Sequence, residues 1–563
     1  MNNKPSAITN KYIIIGGVEG GASIAARLRR LDEHAEIILL EKGAYVSYAN
    51  CGLPYYIGNV ITERDKLFVQ TAANFKQRFN IDARVLHEAV SINKKEKKVQ
   101  IKNLQTGNIY EENYDKLVLS TGAEPVRPAL TGMDNEGIFT LRNVSDTDKI
   151  KEYVKQFPQG KAIIIGAGFI GLEMAENLHR LGLQITIIEM GEQILAPTDF
   201  TIAAFAQDHL RSKNINLKLK TIVTGFEKNK QGLNVLLKDK QPIKADVVIL
   251  SIGVRPDTKL AVGAGLQLGN AKGILVNEYL QTSDENIYAV GDAIEFINPI
   301  TKKYMPTYLA GPANKQGRIC ANNIALGNQQ KYNGSINTAI VKIFNYTIAV
   351  AGVASKHLTA AGINHLVSIT HSGSHANYYP NSQQMCIQLA FSPIDGTLYG
   401  AQIIGNNGVD KRIDILSAVI QRSGNIYELT EFEHAYAPPF SSAKDPVNIA
   451  GFVADNILQS KLKIVPWTKI YELNFENDLL IDVRSAEEFS QGHIDGAINI
   501  SVDEIRNRLT EIPEDKNIYI YCQIGLRGYL AQRILLQNGF KNTYNISGGY
   551  KLFEVCNKER NRE

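Results

Sequence analysis

One pattern occurs twice in this 563-residue chain: an apolar strand-like run, a glycine turn, a helical stretch, and a second apolar run closed by a glutamate. The first copy runs from Tyr12-Ile13-Ile14-Ile15 through Gly16 to Gly21, a helix ending at Leu31, and Ile37 to Leu40 closed by Glu41. The second runs from Ala162 to Ile165 through Gly166-Ala167-Gly168-Phe169-Ile170-Gly171, a helix to Leu181, and Ile185 to Ile188 closed by Glu189. Each is a βαβ unit of the dinucleotide-binding type, so the chain must contain two parallel-sheet nucleotide lobes.

The chemistry of the second turn follows from its spacing. Gly166, Gly168 and Gly171 supply a tight turn, a bare backbone for a pyrophosphate, and close helix–strand packing, while the helix start offers N–H groups. Glu189 then stands where a carboxylate accepts from ribose hydroxyls, and Met190-Gly191 bring no cation behind it, which favours NADH, with NADPH possible. The first turn departs from the pattern because Val18 takes the middle position among Gly16, Gly17, Gly20 and Gly21. Glu41, with Lys42 beside it, restores the reading, as does the strand-like run ending in Gly291-Asp292, whose aspartate can hold the ribitol hydroxyls of FAD. Leu117 to Gly122 and Val247 to Gly253 read as exit strands of the two lobes, placing Thr121, Gly122 and Gly253 at the cofactor turns.

These signals predict an α/β protein with two Rossmann-like domains, for FAD and NAD(P), an α/β dimerisation domain and a small C-terminal α/β domain. The expected boundaries are 1–120 and 271–332 for FAD, 121–270 for NAD(P), 333–457 for the dimerisation domain, a linker at 458–466 near Pro466, and 467–563 for the last module. Length supports this, since about 150 residues per domain gives room for roughly four modules. No segment approaches the roughly 18 uninterrupted apolar residues of a membrane span. The polar stretch from Met1 to Asn10 lacks the parts of an export signal. A net charge of +4 is too small to imply a nucleic-acid partner. Five cysteines, at 51, 320, 386, 522 and 556, form no Cys-x-x-Cys pair, so neither a zinc site nor a disulfide framework is expected, and a reducing cytoplasm fits.

Cys51 stands in Ser47-Tyr48-Ala49-Asn50-Cys51-Gly52-Leu53-Pro54, soon after the first βαβ unit, where it is expected to start a helix beside the flavin with a lowered thiol pKa. With these motifs the chain resembles the FAD-dependent pyridine nucleotide-disulfide reductases, in particular the coenzyme A disulfide reductases and the related NADH oxidases and peroxidases. The resemblance makes Cys51 a single redox cysteine that forms a mixed disulfide with coenzyme A, a persulfide, or a sulfenic acid. It also implies that Ser23, Arg27, Arg30, Ser47 and Asn50 contact coenzyme A, with Asn314 and Lys444 at further substrate positions. Tyr378 and Tyr436, in His375-Ala376-Asn377-Tyr378-Tyr379-Pro380 and His434-Ala435-Tyr436, match tyrosines that reach the partner subunit's cysteine in a homodimer, and Tyr379 is an alternative to Tyr378.

The last module carries Asp482-Val483-Arg484, Glu488, Gly492-His493 and Tyr521-Cys522-Gln523-Ile524-Gly525-Leu526-Arg527-Gly528, and it resembles the rhodanese fold. Cys522 would take up sulfane sulfur in a loop of backbone N–H groups, with Arg527 adding positive charge. The activity implied is NAD(P)H-dependent reduction of coenzyme A disulfide, coenzyme A persulfide or polysulfide, coupled to sulfur transfer. An NADH oxidase or peroxidase, and a sulfur carrier with a vestigial flavin module, are the competing readings.

Overall fold

The computed structural model describes residues 9–229 and 232–562, and the first eight residues of the polar start lie outside the described residues. The chain forms two compact units, one from residues up to 190 with 218–335, the other from 191–217 with 336 onward.

In the first unit, strands Ile287–Ala289, Lys116–Leu119, Lys11–Ile15, Glu36–Glu41 and Asp82–Val85 lie side by side in that order, all parallel. Ile13, Ile14, Ile38 and Leu39 are fully buried, as central strands covered on both faces require. Helix Glu19–Leu31 covers one face and packs on helix Ala310–Leu326. The two approach so closely that a Cβ on Gly317 would lie 2.9 Å from the Gly20 carbonyl oxygen. The second lobe repeats the plan with parallel strands Gln184–Ile188, Lys161–Ile165, Val247–Leu250 and Ile138–Thr140 and helix Phe169–Arg180. The two-stranded ladder of Ala123–Pro125 and Val254–Pro256 carries the chain between the lobes.

In the second unit, strands Ala339–Ile343, Tyr346–Gly352, Leu398–Gly405, Gln384–Phe391 and Leu366–Gly373 form an antiparallel sheet backed by helices Val409–Gln421 and Pro446–Leu458. The C-terminal module is a parallel sheet in the order Ile464–Val465, Thr543–Ile546, Asn517–Tyr521, Asp478–Asp482, Ile498–Asn499.

Three boundaries differ from the expected ones. Ala261, Ala264 and Leu266 belong to the core of the first lobe, so that lobe resumes before residue 271. Helix Phe200–Ser212, expected in the NAD(P) domain, packs within the second unit, where the Asp199 carboxylate accepts from Ser355 N and Lys356 N and from the amides of Gln388 and Gln402. Ile464 and Val465, expected in the linker, pair with Asn545 and Ile546 as an edge strand.

Candidate active site

The first glycine turn opens on a cavity of about 390 Å³ lined by Gly16, Gly20, Glu41, Lys42, Asn50, Thr121, Gly122, Gly291 and Asp292. Nine of the expected cofactor-side or substrate residues thus converge, from five separate stretches of chain. Gly17 and Gly21 shape the turn rather than the wall: Gly17 N donates to Glu41 Oε2 at 2.9 Å, and a Cβ on Gly21 would fall 1.8 Å from the Gly16 carbonyl oxygen. The Asp292 carboxyl is raised by burial, with Arg142 as its compensating charge, so it faces the cavity short of donors, which suits ribitol hydroxyls. This donor-poor carboxylate in a glycine-lined cavity fits FAD. The second turn is built alike. Glu189 Oε2 accepts from Ala167 N at 2.8 Å, Gly166 has φ +99° with its Cβ position 2.4 Å from Ser251 O, and the space beside Gly168 is open. Gly253, also at positive φ, closes the lobe's last strand.

A second cavity of about 550 Å³ brings together Ser23, Arg27, Arg30, Ser47 and Asn314, five of the seven expected substrate residues. Asn50 lies instead on the first cavity, its amide 3.1 Å from the Arg142 carbonyl oxygen and 3.2 Å from that guanidinium. Lys444 is an exposed residue of the other unit. Arg318, one helical turn after Asn314, adds a third guanidinium, and the desolvation of Arg27 together with Arg318 and Arg30 lowers the Arg27 pKa. Three mutually repelling cations in one cavity await a polyanion such as a chain of phosphates. Ser47 sits in the left-handed region at φ +47°, with its N–H donating to Gly17 O and its carbonyl accepting from Val69 N; such strain persists where the surroundings over-determine it.

Val18, Glu19 and Tyr48 line both cavities, and Cys51 follows Tyr48 by three residues. The expected helix start is not there. Cys51 lies in the 3₁₀ turn Asn50–Gly52, and the helix that follows, Leu53–Ile57, has only five residues. The thiol pKa is raised rather than lowered, first by desolvation and then by the carboxylates of Glu19, Glu173 and Asp292. Glu173, which accepts from the Tyr55 hydroxyl at 3.2 Å, is itself pushed up to about 7, mainly by burial. Sequence reasoning missed Arg142, Glu173 and Arg318. Only Arg318 left a signal, as the i+4 neighbour of Asn314.

In the second unit the two nominated tyrosines meet: the hydroxyls of Tyr378 and Tyr436 are 2.8 Å apart, which raises the Tyr378 phenol pKa. Both are exposed, at 76% and 48%, while Tyr379 packs its ring edge-on against His375.

In the C-terminal module Cys522 follows the strand Asn517–Tyr521, and Gly525 N points at its sulfur at 3.1 Å before helix Leu526–Gln537 begins. Arg527 does not stand as a free cation. Its guanidinium grips Glu488 through two bonds of 2.6 and 2.7 Å, which holds the Glu488 carboxyl down at about 2. A thiolate or persulfide there is met by the Gly525 N–H and by Arg527, which interacts with the Cys522 sulfur as well as with Glu488. Cys320, Cys386 and Cys556 are buried, and burial raises all three thiols, Cys386 to about 12.

A sequence profile described as "Pyridine nucleotide-disulphide oxidoreductase" matches residues 10–314, and one described as "Rhodanese-like domain" matches residues 468–556. With two nucleotide lobes and this match over residues 10–314, the chain belongs to the pyridine nucleotide-disulphide oxidoreductase family, whose cofactors are FAD and NAD(P)H. Among its relatives, the coenzyme A disulfide reductase of Staphylococcus haemolyticus is 36% identical over 449 residues, 79% of this chain and 100% of that protein. Reduced CoADR-RHD of Bacillus anthracis matches with a TM-score of 0.96 at 46% identity, covering 98% of this chain and 99% of that one. A NAD-dependent persulfide reductase from A. fulgidus matches with a TM-score of 0.90 at 37% identity, over 96% of this chain and 100% of that one. Among the described residues no helix is long and apolar enough to cross a membrane, and no cluster of metal-ligating side chains occurs.

Proposed function

We propose that the chain is an NADH-dependent flavoenzyme that reduces coenzyme A disulfide, coenzyme A persulfide or polysulfide through Cys51, with Cys522 handling sulfane sulfur. The observation that carries the reading is the three-arginine cavity sharing Val18, Glu19 and Tyr48 with the glycine-lined one. A phosphate-rich thiol carrier can lie in the first while its sulfur reaches Cys51.

Bound FAD supplies the relay by which the electron pair of NADH reaches sulfur. The chain's own groups do the rest. The Cys51 thiolate attacks one sulfur of coenzyme A disulfide, forming a mixed disulfide and expelling a coenzyme A thiolate. Two electrons then cleave the mixed disulfide and restore the thiolate, so that coenzyme A disulfide, NADH and one proton give two coenzyme A thiols and NAD⁺. With the persulfide the same balance gives coenzyme A and hydrogen sulfide. Tyr378 and Tyr436 are suited to protonate a departing thiolate. A homodimer is supported by the exposed apolar surface of the second unit, where Phe440 is 70% and Tyr378 76% exposed. Five unpaired cysteines accord with a reducing cytoplasm, and Met190, exposed after Glu189 where NADPH would want a cation, accords with NADH.

The test is Cys51→Ser. NADH-dependent reduction of coenzyme A disulfide and persulfide should vanish while the purified protein keeps its flavin and its flavin is still reduced by NADH. Undiminished turnover in that variant would refute the assignment.

A further inference from the structure

Tyr378 and Tyr436 sit on segments with no regular structure: one follows strand Leu366–Gly373, the other precedes helix Pro446–Leu458. A buried ion pair ties the two together. Arg412, 1% exposed on helix Val409–Gln421, grips Asp445, 0% exposed, through Nη2 to Oδ2 at 2.8 Å and Nε to Oδ1 at 3.3 Å. The same Nη2 donates to Ser374 O at 2.9 Å, four residues before Tyr378. Asp445 Oδ2 accepts from Ser441 Oγ at 2.5 Å, five residues after Tyr436, and Ala376 N donates to Ser441 O at 3.0 Å, joining the segments directly.

Helix capping does not require this. Oδ1 accepts from Val447 N at 3.0 Å and Asn448 Oδ1 accepts from Asp445 N to complete the capping box, whereas the bonds of Oδ2 to Ser441 and of Arg412 to Ser374 tie in the two tyrosine segments. Nor does stability demand it, since a well-packed apolar pair in place of a buried ion pair often does as well or better. Burial opposes the Asp445 charge, but Arg412, Ser441 and the Val447 N–H outweigh it and lower the carboxyl pKa, so Asp445 is charged at neutral pH.

We propose that Arg412 and Asp445 are positioning residues that set the Tyr378–Tyr436 hydroxyl contact. The proposal rests on the reading of that pair as the proton donor to the departing thiolate.

The experiment compares full-length, flavin-loaded variants: Ser441→Ala, which removes one link and leaves the cap, Asp445→Asn, which keeps a cap acceptor but loses the charge, and Tyr378→Phe/Tyr436→Phe. Each is followed by stopped-flow reduction of the flavin with NADH and by kcat and KM for coenzyme A disulfide. Asp445→Asn should leave flavin reduction unchanged and lower kcat roughly tenfold, less than the hundredfold or more expected for outright loss of a positioned proton donor. Added to the double phenylalanine background, it should cause no further loss, because coupled residues are not additive. Losses that multiply, or slowed flavin reduction, would overturn the proposal. So would a slow double phenylalanine variant beside Asp445→Asn and Ser441→Ala enzymes with unchanged kcat. If the double phenylalanine variant turns over normally, the proton-donor reading itself falls. Should Asp445→Asn not fold, Ser441→Ala decides by the same comparison.

Discussion

At Cys51 the local sequence and the tertiary surroundings pull in opposite directions. A cysteine ahead of a helix suggests an easily ionised thiol, but a five-residue helix carries little dipole, while Glu19, Glu173 and Asp292 arrive from three distant parts of the chain. Like charges oppose a thiolate as they oppose a second carboxylate. Their effect can be read in the flavin-free protein. Glu19→Gln removes one negative charge, so the Cys51 pKa should fall and iodoacetamide should alkylate Cys51 faster at a fixed pH between 7 and 8. An unchanged or slower rate would show that Glu19 does not act on the thiol. Cys522 differs: its sulfur has a backbone N–H at 3.1 Å and faces a guanidinium that it shares with Glu488. Glu488→Gln should release that guanidinium, and sulfur transfer from the dianion thiosulfate should become faster, measured as thiocyanate formed from thiosulfate and cyanide. A slower rate would mean that the ion pair holds the loop in its working shape.

Among the elements, those governed by local pattern were legible in sequence and those governed by distant partners were not. The helix expected to end at Leu31 spans Glu19–Leu31, and the one expected to reach Leu181 ends one residue short of it, at Arg180, because glycine turns and apolar periodicity act within a few residues. The glycine turn at 166–171 also lies as the spacing required. By contrast, helix Phe200–Ser212 reads as a helix wherever it packs. Gln388, Gln402 and the Ser355 and Lys356 N–H groups, which satisfy Asp199, together with Glu559, which accepts from Gln207 and Arg211, assign it to the second unit. Arg142 was invisible for the same reason: nothing adjacent in sequence marks it as the cation beside Asp292. The contact of helices Glu19–Leu31 and Ala310–Leu326 provides an element-scale test, since both carry residues of the arginine cavity. Gly317→Ala would push a methyl to 2.9 Å from Gly20 O. It should cost about 1–3 kcal/mol by overpacking, and should raise KM for coenzyme A disulfide by shifting Arg318 away from Arg27. An unaltered melting temperature and KM would show that the helices yield without strain.

The whole molecule joins two sulfur sites of different kind in one chain. Cys51 follows Asn50, which lines the cavity that fits FAD, whereas Cys522 is buried at the start of a half-buried loop in a separate parallel-sheet module whose profile match begins at residue 468. Passing sulfane sulfur from one thiol to another needs no electrons from the flavin. Cys522→Ala should therefore leave reduction of coenzyme A disulfide intact, abolish sulfur transfer from thiosulfate, and slow reduction of bulk polysulfide more than that of small persulfides. Equal damage to disulfide reduction by Cys522→Ala and Cys51→Ser would place the second thiol inside the flavin cycle. The central claim, that Cys51 carries the substrate sulfur as a mixed disulfide, is tested most directly by mass spectrometry of the oxidised enzyme's peptides before and after NADH. The account predicts coenzyme A linked to the peptide containing Cys51 and absent from the one containing Cys522, with one equivalent of coenzyme A released per subunit on adding NADH. A Cys51 peptide found instead as a sulfenic acid, with no coenzyme A released, would contradict it.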